Sequence, residues 1–189
     1  MVKQLEKPII IDNVLPKVEN IEILKHLCIR HFQIQTEGLD HLEKDEQIFL
    51  NAFDNNFRHV GYAIELYDCR KNPPENYKID PLFIWARMVY SHCIEKLNIP
   101  NFKRLFRIHW NYYTAGQQGR GHVDKPEDNF ISILYNMHTT DGGTEILGNF
   151  YQDKISQAKI FKSNWTHRGI ATKTDKSRAS LNIVLELNE

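Results

Sequence analysis

At 189 residues, with 24 basic and 24 acidic side chains, the chain can bury one sizeable core and carries no net charge. That balance supplies no global field to recruit nucleic acid or an anionic membrane, and no apolar run approaches the ~20 residues that span a bilayer. Three scattered cysteines fit a reducing compartment better than a disulfide framework or a cysteine-rich zinc site. Met1-Val2-Lys3-Gln4-Leu5-Glu6-Lys7 has no apolar signal core, so a soluble cytoplasmic protein is expected.

In chain order, residues 8–12 read as a short opening strand. A helix follows over 16–28, with Ile21, Leu24, Leu27 and Cys28 at helical spacing. Strands are expected at 47–53 and 59–66, and a polar loop containing Pro73-Pro74 at 68–78. Asp80-Pro81 is a strong helix start, with Asp as N-cap and Pro in the first turn. Trp85, Met88, Val89, Cys93 and Leu97 are expected on its buried face, and Pro100 ends it. From residue 104 strand patterns dominate: 104–113, 130–136, 144–150, 157–161, 164–168 and 178–187. Asp141-Gly142-Gly143 serves as a turn signal between two of them. The predicted class is α+β, mainly β. It comprises a double-stranded β-helix (a jelly roll of cupin type) of about eight strands over 104–189, with supporting N-terminal helices in a lead-in over 1–103, all one domain.

The chemistry concentrates in that second half. His122 and Asp124 lie in Gly-His-Val-Asp-Lys, and residues i and i+2 of an extended chain point to one side. His167 follows Asn164-Trp165-Thr166. Arg178 opens a run in which Arg178, Ser180 and Asn182 alternate with Ala179, Leu181, Ile183 and Leu185. Two imidazoles and a carboxylate can bind one face of an octahedral iron(II) and leave the opposite face open. A guanidinium further along can hold a distal carboxylate through a two-pronged ion pair. A lone histidine is more often a surface or hydrogen-bonded residue than a ligand, and His-x-Asp alone is a weak motif. His41-Leu42-Glu43 with His92, Lys103 and Arg104 imitates the pattern, but in a polar run and a helix rather than on strands. The conjunction of four side chains at strand spacing favours His122, Asp124 and His167 as a metal site.

The run Asn111-x-Tyr113-x-x-Gly116-x-x-Gly119-x-x-His122-x-Asp124, then Leu134-Tyr135, Gly142-Gly143-Thr144-Glu145, His167 and Arg178, resembles the iron(II)/2-oxoglutarate-dependent dioxygenases. Within them it is most similar to the prolyl-4-hydroxylase-like subgroup of short bacterial and phage type, over residues 104–187. The resemblance implies His122, Asp124 and His167 as metal ligands and catalytic residues, and iron(II), 2-oxoglutarate and O2 as cofactors, with ascorbate as a candidate reductant. It implies that Arg178, Tyr135, Ser180 and Tyr113 bind the cosubstrate, with Tyr112 an alternative to Tyr113. Arg178 stands where collagen-type prolyl hydroxylases usually carry lysine, which weakens a collagen assignment. Asp124 stands where related halogenases have Gly or Ala, so hydroxylation is the implied outcome.

The function implied is hydroxylation of an amino-acid side chain, peptidyl proline first, with release of succinate and CO2. The partner is then a peptide, a protein or a small amino acid, with no membrane. A free amino acid or a nucleic-acid base is the alternative substrate. Related nucleic-acid demethylases place a second arginine six residues after the first, where this chain has Val184, which ranks nucleic acid lower. A non-catalytic metal-binding jelly-roll module is the alternative of another class, and it leaves Arg178 and Ser180 without a purpose.

Overall fold

The computed structural model describes residues 5–28, 33–36, 60–71, 76–99, 102–117, 119–174 and 177–188. Its strands are β1 (Ile9–Ile11), β2 (Gln33–Thr36), β3 (Val60–Asp68), β4 (Phe102–Tyr113), β5 (Phe130–Asn136), β6 (Gly143–Ile146), β7 (Asn149–Gln152), β8 (Gln157–Lys162), β9 (His167–Ile170) and β10 (Arg178–Leu187). The helices are α1 (Lys17–Cys28) and α2 (Pro81–Lys96). The expected strand at 47–53 and the imitation motif at His41 lie outside the described residues. Among the described residues no helix is long and apolar enough to cross a membrane.

The strands form two antiparallel sheets: a seven-stranded one in the order β1-β8-β5-β10-β4-β3-β2 and a three-stranded one, β7-β6-β9. This is the expected mainly-β double-stranded β-helix with helices leading into it. Both helices cover the outer face of the large sheet. Ile23 and Leu27 of α1 and Leu82, Ala86, Val89 and Cys93 of α2 share one core with Ile108, Trp110, Ile131, Ile133, Ile160, Leu181, Ile183 and Leu185. Burial of a side chain of this size stabilises by about 1.5–3 kcal/mol, and the row is what holds sheet and helices together. The opposite face of the large sheet, which mixes the polar row Arg178, Ser180 and Asn182 with Leu134, shares a cavity with Thr144, His167 and Gly169 of the small sheet.

Local chemistry explains the boundaries. Asp80 caps α2 by accepting from Leu82 N at 2.9 Å, with Pro81 in the first turn. Met88 departs from its expected place and is 43% exposed; Leu82, Phe83 and Ala86 fill the buried stripe instead. The single strand expected over 144–150 is a hairpin. Leu147 (φ 50°) and Gly148 (φ 78°) form a two-residue turn between Ile146 and its partner Asn149. Positive φ at both central positions matches the twist of the flanking strands. Asp141-Gly142-Gly143 is not that kind of turn. Its glycines instead permit close approach, since a Cβ on Gly142 would lie 2.8 Å from Ile170 O.

Candidate active site

Residues 119–124 extend the small sheet without forming a regular strand. Gly119 N donates to Gly169 O (2.9 Å), His122 and His167 exchange backbone bonds (3.0 and 2.9 Å), and Asp124 N donates to Ser163 O (2.9 Å). These bonds bring the His-x-Asp segment alongside β9, so three side chains distant in sequence meet. One ligand atom from each of His122, Asp124 and His167 lies within 4.8 Å of the others. His167 Nε2 is 3.5 Å from Asp124 Oδ2, and His122 Nε2 is 3.9 Å from Asp124 Oδ1.

The tautomers suit a metal. His122 Nδ1 bonds Arg120 O and His167 Nδ1 bonds Trp165 O, each at 2.9 Å. A carbonyl oxygen only accepts, so each Nδ1 carries the hydrogen and each Nε2 presents its lone pair to the shared space. Burial lowers the pKa of His167, against the opposing pull of Asp124, and so favours the neutral imidazole a metal requires. Phe161 packs on that ring with centroids 4.8 Å apart.

Asp124 has no exposed side-chain surface. Burial alone would raise its pKa; the positive charge that His167, when protonated, Arg107 and a protonated His122 place beside it, with a bond from Ser132, holds it well below the ordinary carboxylate range. Ser132 Oγ donates at 2.6 Å, Asn182 Nδ2 lies 3.2 and 3.3 Å from the two oxygens, and Arg107 Nη2 ion-pairs with Oδ1. The donor set is two imidazole nitrogens and an ionised carboxylate converging on one side of a space. That suits a divalent cation with open positions for a chelating ligand.

A cavity of ≈ 200 Å³ runs from this trio to Arg178; Tyr113, Thr144, Gly169, Ser180 and Leu134 also line it. Arg178 is buried. Its Nε donates to Asp153 Oδ2 at 2.5 Å, its Nη2 donates to Thr144 Oγ1 at 2.8 Å, and its guanidinium carbon lies 5.7 Å from the Tyr113 ring centroid. Ser180 Oγ is buried without a hydrogen-bond partner among the described residues. An orphaned hydroxyl beside a buried guanidinium is costly unless an acceptor arrives, and the carboxylate of an anionic ligand fits that need.

Of the remaining expected site residues, Tyr113 lines the cavity, whereas Tyr112 packs against the helix-side core. Tyr135 does not reach the site. It lies on the helix side of β5, fully buried, where its hydroxyl donates to Asn20 Oδ1 of α1 at 2.6 Å. The reason is strand parity: Leu134 faces the cavity, so its neighbour Tyr135 faces away.

Two further cavity residues, Arg107 and His109, fall outside the motifs. Arg107, His109 and Asn111 line it from β4 with Tyr113, an i, i+2 row that alternates with Ile108, Trp110 and Tyr112. That alternation is visible in the chain and was the available signal. His109 Nε2 contacts Glu65 Oε2 at 3.0 Å. Arg107 is the cross-strand partner of Val184. The neighbouring strand therefore supplies an arginine beside the position six residues past Arg178.

No family model matches the chain, and no curated protein matches it by sequence. Solved structures do match it. The fold is similar to that of a prolyl-4-hydroxylase of Pseudomonas putida at 12% identity, over 96% of this chain and 93% of that one, with a TM-score of 0.59. It is similar to a Trichoplax adhaerens prolyl hydroxylase in complex with a peptide fragment of the hypoxia inducible factor oxygen degradation domain (15% identity, 98% and 86%, TM-score 0.62). An oxidoreductase of the 2-oxoglutarate-iron(II) oxygenase family from Burkholderia pseudomallei shares it as well (12%, 95% and 85%, TM-score 0.64). The chain thus has the double-stranded β-helix fold found in these oxygenases.

Proposed function

We propose that this chain is an iron(II)- and 2-oxoglutarate-dependent dioxygenase that hydroxylates an amino-acid side chain, a prolyl residue of a peptide or protein before others. The observation that carries the reading is the convergence of His122, Asp124 and His167 beside a cavity that the two histidines line together with a buried arginine and an orphaned hydroxyl. Iron and 2-oxoglutarate, when bound, supply the oxidation: one oxygen atom of O2 enters the substrate and the other enters succinate, with CO2 released.

The chain's own residues do the rest. The two Nε2 atoms and the Asp124 carboxylate would hold the metal. Ser132, Asn182 and Arg107 fix the carboxylate's orientation and keep it ionised. Arg178, with the Thr144 and Ser180 hydroxyls beside it, would receive the distal carboxylate of the cosubstrate. Likeness of fold to two prolyl hydroxylases, one in complex with a peptide, supports the prolyl substrate. Arg107 beside Val184 favours keeping a nucleic-acid base as a second reading.

The test is succinate release from iron(II)-loaded protein with 2-oxoglutarate and ascorbate. The substrates are proline-rich peptides, free amino acids and methylated oligonucleotides, with the product's gain of one oxygen read by mass. Turnover with the peptides is expected. Turnover confined to oligonucleotides replaces the substrate class, and absence of any 2-oxoglutarate turnover favours a metal-binding module without catalysis.

A further inference from the structure

Behind Arg178 lies a second cation that the metal site does not use. Lys159, on β8, is fully buried, and its Nζ donates to Asp153 Oδ1 at 3.1 Å. The other oxygen of Asp153 takes Arg178 Nε at 2.5 Å, and Arg178 Nη2 lies 3.5 Å from Oδ1. One carboxylate therefore sits between two buried cations. Arg178 lines the cavity, whereas Asp153 and Lys159 stand behind it.

An Arg178–Asp153 pair alone would be neutral and would be enough to orient the guanidinium. Burying an ammonium as well is unfavourable unless its charge is matched. Burial lowers the pKa of Lys159, and the Asp153 carboxylate opposes that fall. With Lys159 protonated the cluster carries one positive charge in excess. Its outlet is the face of Arg178 that borders the cavity, next to the unpartnered Ser180 Oγ.

We propose that Lys159 and Asp153 are positioning residues for the cosubstrate, and that they confer selectivity for a 2-oxo diacid over a 2-oxo monoacid. Asp153 locks the guanidinium plane, and Lys159 offsets the charge of Asp153, leaving Arg178 a full positive charge for the distal carboxylate. This rests on the 2-oxoglutarate reading above and adds the charge arrangement that would make that site choose a dicarboxylate.

The test uses full-length protein loaded with manganese(II), which prevents turnover. Calorimetric titration compares 2-oxoglutarate with 2-oxopentanoate, which has the same chain length but ends in a methyl group. Lys159→Met makes the cluster neutral and should weaken 2-oxoglutarate binding at least tenfold while leaving 2-oxopentanoate unchanged, since a charge-assisted contact is worth about one such factor or more. The double variant Asp153→Asn/Lys159→Met restores the single excess charge and should recover most of the loss. Lys159→Gln removes the charge but keeps a polar side chain beside Asp153 and should show the same selective loss of 2-oxoglutarate; an unchanged preference in it overturns the proposal if Lys159→Met fails to fold. Equal loss of both ligands in Lys159→Met, unchanged 2-oxoglutarate binding, or no recovery in the double variant overturns the proposal. Wild-type protein that binds manganese but not 2-oxoglutarate overturns instead the reading on which it rests.

Discussion

At the scale of single residues, the site depends on contacts close enough that small changes are felt. A Cβ on Gly169 would lie 2.9 Å from Arg178 Nη1, so Gly169→Ala must displace the guanidinium or the strand. This variant should lose about tenfold in 2-oxoglutarate affinity, roughly one charge-assisted hydrogen bond, and retain its metal. Arg178→Ala should lose at least as much, also without loss of metal. Titration of the cosubstrate with metal analysis in parallel checks both, and affinity equal to wild type would remove Arg178 from the cosubstrate site. Tyr135 gives the contrasting case. Tyr135→Phe removes the bond to Asn20 Oδ1, so stability should fall by about 1 kcal/mol in denaturant unfolding while 2-oxoglutarate affinity stays the same. A drop in affinity would return this tyrosine to the site.

At the scale of elements, ends and periods were legible because their causes are local. The Asp80 cap and Pro81 define the start of α2 through one hydrogen bond and one fixed φ. Asp80→Ala should cost about 1 kcal/mol of unfolding free energy, as loss of an N-cap does elsewhere, and a denaturant midpoint unchanged from wild type would count against the cap. β10 follows its alternation throughout: Arg178, Ser180 and Asn182 line the cavity, while Ala179, Leu181, Ile183 and Leu185 lie in the core. β5 defeated the same logic. Phe130, Ser132 and Leu134 share the cavity side, while Ile131, Ile133 and Tyr135 share the other, so polarity does not mark which face is the cavity. Residues 144–150 defeated it through the turn. Leu147-Gly148 is not one of the Asn-Gly or Asp-Gly pairs that usually announce a two-residue hairpin.

At the scale of the whole molecule, acid should loosen the outer strands through two carboxylates. The bond from Arg70 lowers the pKa of Asp68 from 3.8 to about 2, and the bond from His109 takes Glu65 from 4.5 to about 2. Both folded values lie below the unfolded ones. The stability they contribute is therefore full above the unfolded pKa values and is lost as pH falls through the folded ones. Unfolding free energy should decline between about pH 4.5 and 2, and Asp68→Asn should flatten part of that decline when unfolding is followed against pH. An unchanged slope would mean that solvent around the exposed Arg70 screens the pair.

The chain by itself determined its mainly-β character, both helices, the His122-x-Asp124 step, the distant His167 and the polar row from Arg178 to Asn182. Those follow from helical and strand periods, capping chemistry and the few residue types that ligate a metal, all of which act over a handful of neighbours. Only the tertiary structure decided that Tyr135 serves the helix-side core, that Arg107 and Asn182 grip Asp124, and that Lys159 and Asp153 stand behind Arg178. These depend on which strands lie side by side and which sheet face the helices cover. Lys159 and Asp153 are six positions apart, but the other pairings join residues 17 to 115 positions apart, and no short-range pattern records them.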